Sequence, residues 1–226
     1  MLRERRRQGV GTALFGSLSE RARAAGWSEL YSAARHDDAD TQSYLGKRGF
    51  AEVLRMQELS LDLARAQAAS DGLVGIELAP LGPELERQAY DVAREAYPDI
   101  PEEDGAWIGS FDEWRREELP GHALRSCSFV ARMDGEIIGY ATLLDAGDGV
   151  GVHGMTAVRR AARGRGVARA LKRAQIVAAK GAGLRQLRTT TAFANAPMLR
   201  VNERLGYTRG VAWVHLRGPL LDGTPE

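Results

Sequence analysis

Residues 163 to 172 read Arg163-Gly-Arg-Gly-Val-Ala-Arg-Ala-Leu-Lys172, and the rest of the chain is arranged around them. A run with strand character, Val150–Val158, leads in. A helix leads out, because Val167, Ala170, Leu171, Ala174, Val177 and Ala178 recur at helical spacing. A glycine-rich turn at a helix start presents unpaired backbone N–H groups and the positive end of the helix dipole. Such a turn attracts phosphate. Gly164 and Gly166 allow close approach of a ligand to the backbone, and Arg163, Arg165 and Arg169 add positive charge.

Two common phosphate loops do not fit. The Walker string Gly-x4-Gly-Lys-Ser/Thr is absent, and the dinucleotide string Gly-x-Gly-x-x-Gly fails because the sixth residue is Arg169. What fits is Arg-x-x-Gly-x-Ala over residues 163–168. It follows a strand ending Met155-Thr-Ala-Val158, and the later run Asn195-Ala-Pro-Met198 and Asn202-Glu-Arg-Leu-Gly-Tyr207 closes the same unit. This pattern resembles motif A and the fold end of the GNAT N-acetyltransferases. The resemblance implies an α+β fold with a mixed, mostly antiparallel sheet flanked by helices. It also implies acetyl-CoA as acetyl donor.

Composition excludes several classes. The 226 residues hold 31 basic and 30 acidic side chains, so the overall charge points to no polyanionic partner. No apolar run is long enough for a membrane, and Met1-Leu-Arg-Glu-Arg-Arg-Arg7 has no signal-peptide core, so a cytoplasmic location is expected. Cys127 is the only cysteine and reads as a small apolar residue at the start of the strand Ser128–Met133, with a nucleophile as the alternative. The four histidines, 36, 122, 153 and 215, show no metal-ligand spacing, so no metal site is expected.

Sliding the N-terminus against the loop at an offset of 157 residues reveals a repeat. Arg6 falls on Arg163, Gly9 on Gly166, Val10 on Val167, Leu14 on Leu171, Gly26 on Gly183 and Gly49-Phe50 on Gly206-Tyr207, without a gap. The expected organisation is a partial GNAT unit over 1–63 that lacks its front strands, a linker over 64–75, a complete unit over 76–217 and a tail over 218–226. The first unit reads as a helix ended by Gly26, a strand Trp27–Ala33, a helix Asp40–Lys47 and two strands, Phe50–Val53 and Arg55–Leu63. The second reads as a strand Ile76–Leu81, a helix Pro83–Tyr97 and a short helix capped by Ser110 with Glu113. A hairpin through Asp134-Gly135 and the loop unit follow. Then come a strand Leu187–Thr191, a helix Ala196–Leu205 and closing strands Tyr207–Arg209 and Val211–Arg217. Leu14, Leu18 and Trp27 then need cover from the second unit or from another chain, so a homo-oligomer is one expectation.

Acetyl transfer from a thioester to an amine requires the donor to be held, its carbonyl to be polarised and the amine to arrive neutral. By resemblance, the pyrophosphate is held by Arg163, Gly164, Arg165, Gly166, Val167, Ala168 and Arg169. The pantetheine arm runs beside Thr156, Ala157 and Val158, the backbone N–H near Thr156 is the oxyanion donor, and Asn195 touches the cofactor. Many family members carry a tyrosine acid where this chain has Asn202. An amide cannot supply a proton, although Asn202 is able to hydrogen-bond the sulfur or the arm. His153, on the strand before the loop, is a candidate base, with Glu102, Glu103 and Asp104 as alternatives.

From Glu84 to Glu118 there are twelve acidic and four basic residues, a local charge of −8, which suits a cationic small-molecule amine. Trp107, Phe111 and Trp114 either line a pocket or anchor their helix. Two-unit acetyltransferases of actinobacterial type, including the mycothiol-synthase group, are the general resemblance, and nothing in the sequence selects their substrate. The competing reading is a catalytically silent acyl-CoA-binding module. Nucleic-acid binding through Arg159, Arg160, Arg163, Arg165, Arg169, Lys172 and Arg173 is not expected, because the cluster holds no aromatic for base stacking.

Overall fold

The 157-residue offset recurs in the element bounds of the computed structural model, which describes residues 8–67, 73–101 and 108–221. Helix α1 spans Val10–Ala24 and α5 spans Val167–Gly181; strand β1 spans Glu29–Arg35 and β7 spans Gln186–Ala192. Strand β2 spans Ala51–Asp62 and β8 spans Thr208–Pro219. Helix α2, Ala39–Gly46, and α6, Ala196–Arg204, keep the same start. The turn glycines match as well. Gly9 and Gly166 have φ of 77° and 85°, Gly26 and Gly183 82° and 79°, and Gly49 and Gly206 81° and 89°. Each needs the left-handed region that only glycine enters without strain.

Two units divide the described residues, one drawing on residues up to Met56 and from Val211 onward, the other on Gln57–Gly210. They are not consecutive in sequence, because the division falls inside β2 and inside β8. In the first unit the strand order is β1-β8-β2. The antiparallel register of β1 and β8 runs from Glu29 opposite Pro219 to Arg35 opposite Trp213. Its core is Phe15, Ala34, Leu45, Phe50, Val214 and Leu216, with Phe15 and Phe50 edge to face at 5.8 Å. Leu14, Leu18 and Trp27 remain more than half exposed, whereas Leu171, the counterpart of Leu14, is fully buried.

The second unit orders its strands β2-β7-β6-β5-β4-β3, where β3 is Glu77–Pro80, β4 Phe129–Met133, β5 Glu136–Asp145 and β6 Val150–Val158. Helices α3, Glu86–Ala96, and α4, Phe111–Glu118, lie between β3 and β4 in sequence. α3 forms because Leu85, Ala89, Val92, Ala93 and Ala96 make one buried stripe. α4 starts at the expected capping box, in which the Glu113 N–H donates to Ser110 Oγ and the Ser110 N–H donates to Glu113 Oε2. The β4–β5 hairpin turns at Asp134 and Gly135, with φ of 52° and 83°.

The structure corrects some expectations. Each expected pair of closing strands is a single strand. At Gly210 the chain stays extended because Gln57 Nε2 donates to its carbonyl at 3.1 Å. The expected linker begins as packed structure: Ala66 is buried in the cluster of Leu59 and Leu61, and Lys180 Nζ donates to its carbonyl at 3.3 Å. Phe111 and Trp114 anchor α4. Trp114 is buried, lies 5.9 Å from the Phe111 ring and donates its indole N–H to Tyr140 at 3.1 Å. Trp107 falls outside the described residues. Among the described residues no helix is long and apolar enough to cross a membrane.

Candidate active site

Strands β6 and β7 pair in parallel only over Val150–Val152 with Gln186–Arg188. Beyond that the second half of β6 has no described register with β7. A cavity of about 760 Å³ opens along this edge. Met155, Thr156, Ala157 and Val158 of β6 form one wall. The turn Ala162–Arg169 forms the mouth, while Asn195, Pro197, Met198, Val201 and Arg204 close the far side.

The mouth is a helix start with arginines around it. Gly166 caps α5 in the left-handed region, and the first helix bond runs from Ala170 N–H to Gly166 O at 3.0 Å. No acceptor is described for the N–H groups of residues 164–169. Space around Gly164 is open, since an added Cβ would meet nothing within 4 Å. Arg165, Arg169 and Arg204 line the opening with positive charge.

The preceding turn is held by acids from the α3 side. Glu95 accepts from Arg159 Nη1 at 2.8 Å and from the Arg160 N–H at 2.7 Å. Asp99 pairs with Arg160 at 2.8 Å and Arg163 at 2.7 Å. Hydrogen bonds from Arg160 and then Arg163 hold the Asp99 carboxyl down at about 2. Glu86 is buried between Arg115 and Arg125, at 2.7 and 2.8 Å. The acidic wall expected over 84–118 is therefore partly spent: Glu86, Glu95 and Asp99 bind arginines of the protein itself. Glu102, Glu103 and Asp104 lie outside the described residues.

The expected donor-binding residues Thr156, Ala157, Val158, Arg163, Gly164, Arg165, Gly166, Val167, Ala168, Arg169 and Asn195 all line this one cavity. Asn195 also caps α6, its Oδ1 accepting from the Met198 N–H at 3.2 Å. Asn202 does not reach the cavity. The α6 positions that do are 197, 198, 201 and 204, and the 100° step per residue turns Asn202 toward β7. There it is fully buried and donates Nδ2 to Thr191 Oγ1 at 3.2 Å. His153 is likewise misplaced for a base. It is buried against α5, with Nδ1 3.0 Å from Gln175 Oε1 and Nε2 bonded to the Tyr207 hydroxyl. Burial, then the charge of Lys172, keep its pKa well below the usual imidazole range.

Lys172 belongs to the same buried polar group. Its Nζ has no hydrogen-bond partner among the described residues, and it lies 5.6 Å from the Tyr207 ring centre. Burial pushes its pKa down to about 7.

Sequence reasoning missed Glu118, the last residue of α4. The β5–β6 register slips by one residue between the Ala141–Thr156 and Leu143–His153 pairs, which makes a bulge around Gly154. Glu118 Oε2 accepts there from the Met155 N–H at 3.0 Å and from Thr142 Oγ1 at 2.8 Å. Tyr97 Oη donates to Oε1 at 3.3 Å. Burial raises the Glu118 pKa despite these three hydrogen bonds. A glycine inside a strand was the one sequence signal for the bulge.

The sequence model of the Acetyltransferase (GNAT) family matches residues 86–207, more than half of the chain, and the chain belongs to that family. It is thus an acyltransferase enzyme. The mycothiol acetyltransferase of Thermomonospora curvata is 27% identical over 217 residues, covering 95% of this chain and 71% of that protein. Among solved structures, a GCN5-related N-acetyltransferase from Sphaerobacter thermophilus superposes with a TM-score of 0.80 at 21% identity, over 99% of this chain and 72% of its own. A tandem GNAT protein from the clavulanic acid biosynthesis pathway, solved without acetyl-CoA, gives a TM-score of 0.74 at 21% identity, over 98% and 73%.

Proposed function

We propose that the chain is an acetyl-CoA-dependent N-acetyltransferase that passes the acetyl group directly to a primary amine of a small molecule or peptide. The observation that carries this reading is the cavity itself. Its mouth offers six backbone N–H groups with no described acceptor, at a helix N-terminus flanked by three arginines, and its wall is the half of β6 with no described pairing to β7. The first feature suits a pyrophosphate and the second suits an amide-bearing arm that pairs like a strand. Bound acetyl-CoA supplies the thioester. The residues that would hold it are Arg163–Arg169 at the phosphates and Thr156–Val158 along the arm.

The residues up to 63 fit a reading as the C-terminal half of a second GNAT unit. Support comes from the shared element bounds, the three matched glycine pairs and the exposure of Leu14 where its counterpart Leu171 is buried. On this reading the chain offers one tight donor site, and it works in the cytoplasm without nucleic acid or membrane. Calorimetry with acetyl-CoA, followed by transfer to a panel of amines, tests it. Wild type should bind about one equivalent. Gly166→Glu should abolish binding, because it adds a side chain at φ 85° and a negative charge where phosphate would sit. Unchanged affinity in a folded Gly166→Glu protein would overturn the assignment of the loop.

A further inference from the structure

Strand β1 is the outer strand of its sheet, and among the described residues it pairs with one strand, β8. An outer strand presents its backbone donors and acceptors to any strand that fits it. Helix α1 carries a ridge of exposed apolar residues, Val10, Leu14 and Leu18, spaced four apart. The repeat shows which way that ridge faces. Val167 and Leu171, the counterparts of Val10 and Leu14, are buried against Ala131 of β4 and Ile138 and Ala141 of β5. Those strands lie beyond β6, on the side of β7 away from β2. In the first unit that side is the outer edge of β1, so ridge and edge form one surface.

The edge is complementary to itself. β1 reads Glu29-Leu-Tyr-Ser-Ala-Ala-Arg35, so full antiparallel overlap of two copies centres on Ser32. Glu29 then stands opposite Arg35 of the partner subunit, twice, on the exposed face of β1 that also carries Tyr31. Arg217 lies 3.8 Å from Glu29, and Asp37 lies 2.7 Å from Arg35. Across the two-fold axis the charges therefore alternate: Arg217, Glu29, then Arg35 of the partner subunit and Asp37 of the partner subunit. β7 shows what a different neighbour asks for. It takes β6 in parallel at Gln186–Arg188, and its residues matching Glu29 and Arg35 are the uncharged Gln186 and Ala192. β1 carries charge at those two positions, and a copy of itself supplies the opposite sign at each.

We propose that β1 and α1 are the interface of a two-fold dimer, in which β1 pairs antiparallel with the same strand of a second copy. The same patch then serves on both sides, as a closed two-fold contact requires. The axis runs normal to the sheet at Ser32, which keeps both α1 helices on one face and turns their ridges toward each other. Leu14 and Leu18 leave water, and the outer edge of β1 is covered. The dimer is independent of the acetyl-transfer reading above.

Sedimentation equilibrium of the full chain, at up to about 100 μM, should show a mass twice that of one chain. A monomer throughout that range overturns the proposal, and this readout needs no variant. Charge reversal tests the register. Glu29→Arg sets two cations opposite each other and Arg35→Glu sets two anions, so each should raise the dissociation constant about tenfold or more. The two single variants, mixed, should prefer each other. The double variant Glu29→Arg/Arg35→Glu restores opposite signs across the axis and should associate more tightly than either single. Folded single variants that dimerise like wild type overturn the proposal, as does a folded double variant no tighter than the singles. Leu14→Asp tests the ridge. Its side chain is more than half exposed in one chain, so the variant should keep the circular dichroism of wild type and sediment as a monomer. A Leu14→Asp protein that dimerises like wild type overturns the proposal as well.

Discussion

Lys172→Met should make the protein more stable, by an amount that depends on pH. The ammonium of Lys172 is fully buried without a hydrogen-bond partner among the described residues, and its pKa falls from 10.5 to about 7. An unfolded chain therefore holds this proton up to about pH 10.5, while the folded chain gives it up near pH 7. The stability tied to this group is fully present above the unfolded pKa and is lost as pH falls through the folded one. A gap of about 3.5 units at about 1.4 kcal/mol each caps the penalty near 5 kcal/mol. Methionine keeps the unbranched stem and removes the charge. The variant should exceed wild type by about 5 kcal/mol at pH 6, about 3 kcal/mol at pH 8 and about 1 kcal/mol at pH 10, plus a constant packing difference. Urea unfolding of both proteins at the three pH values measures this directly. A difference constant to within about 1 kcal/mol across that range would refute the reasoning, since Lys172 would then titrate alike in both states.

Three further outcomes follow from the site and the repeat. Gly154→Ala should lower stability by roughly 1 to 3 kcal/mol, because the added Cβ would collide with Thr142 Oγ1 and crowd Glu118 Oε2 at the bulge, as melting would show. Asn202→Ala should lower stability by roughly 1 kcal/mol or more, through the lost bond to Thr191, and leave the rate within about tenfold, as separate melting and rate measurements would show. Gly9→Glu, at the counterpart of Gly166, should leave the single tight acetyl-CoA site untouched in titration; loss of all binding in the folded variant would remove the half-unit reading.

Local signals made much of this molecule legible. The loop from Arg163 to Arg169, the Ser110 capping box, the Asp134-Gly135 turn and the 157-residue offset are all short-range patterns, and each was readable as such. That the expected loop and strand residues line one cavity followed, because a single loop and a single strand build most of it. The contacts of Glu118 did not. Glu118 meets Met155 only through a one-residue slip in strand pairing, and nothing in the spacing of residues 118 and 155 announces that meeting. The same slip disturbs the alternation along β6, and His153 is held by Gln175 of α5 and by Tyr207. Asn202 was misread for another reason. A motif position names a place on a helix, and one step of 100° decides between the cavity and β7.

The register of β1 has a consequence for how the protein is made. Glu29–Arg35 finds its antiparallel partner in residues 213–219, so the first unit cannot close its sheet on its own early residues. At roughly 5 to 20 residues per second of synthesis, on the order of ten seconds or more separates Arg35 from Trp213. Through that interval β1 must wait beside a helix whose Leu14 and Leu18 are more than half exposed in the folded chain. This strand is thus made long before its partner, and a chaperone has that whole interval in which to bind it.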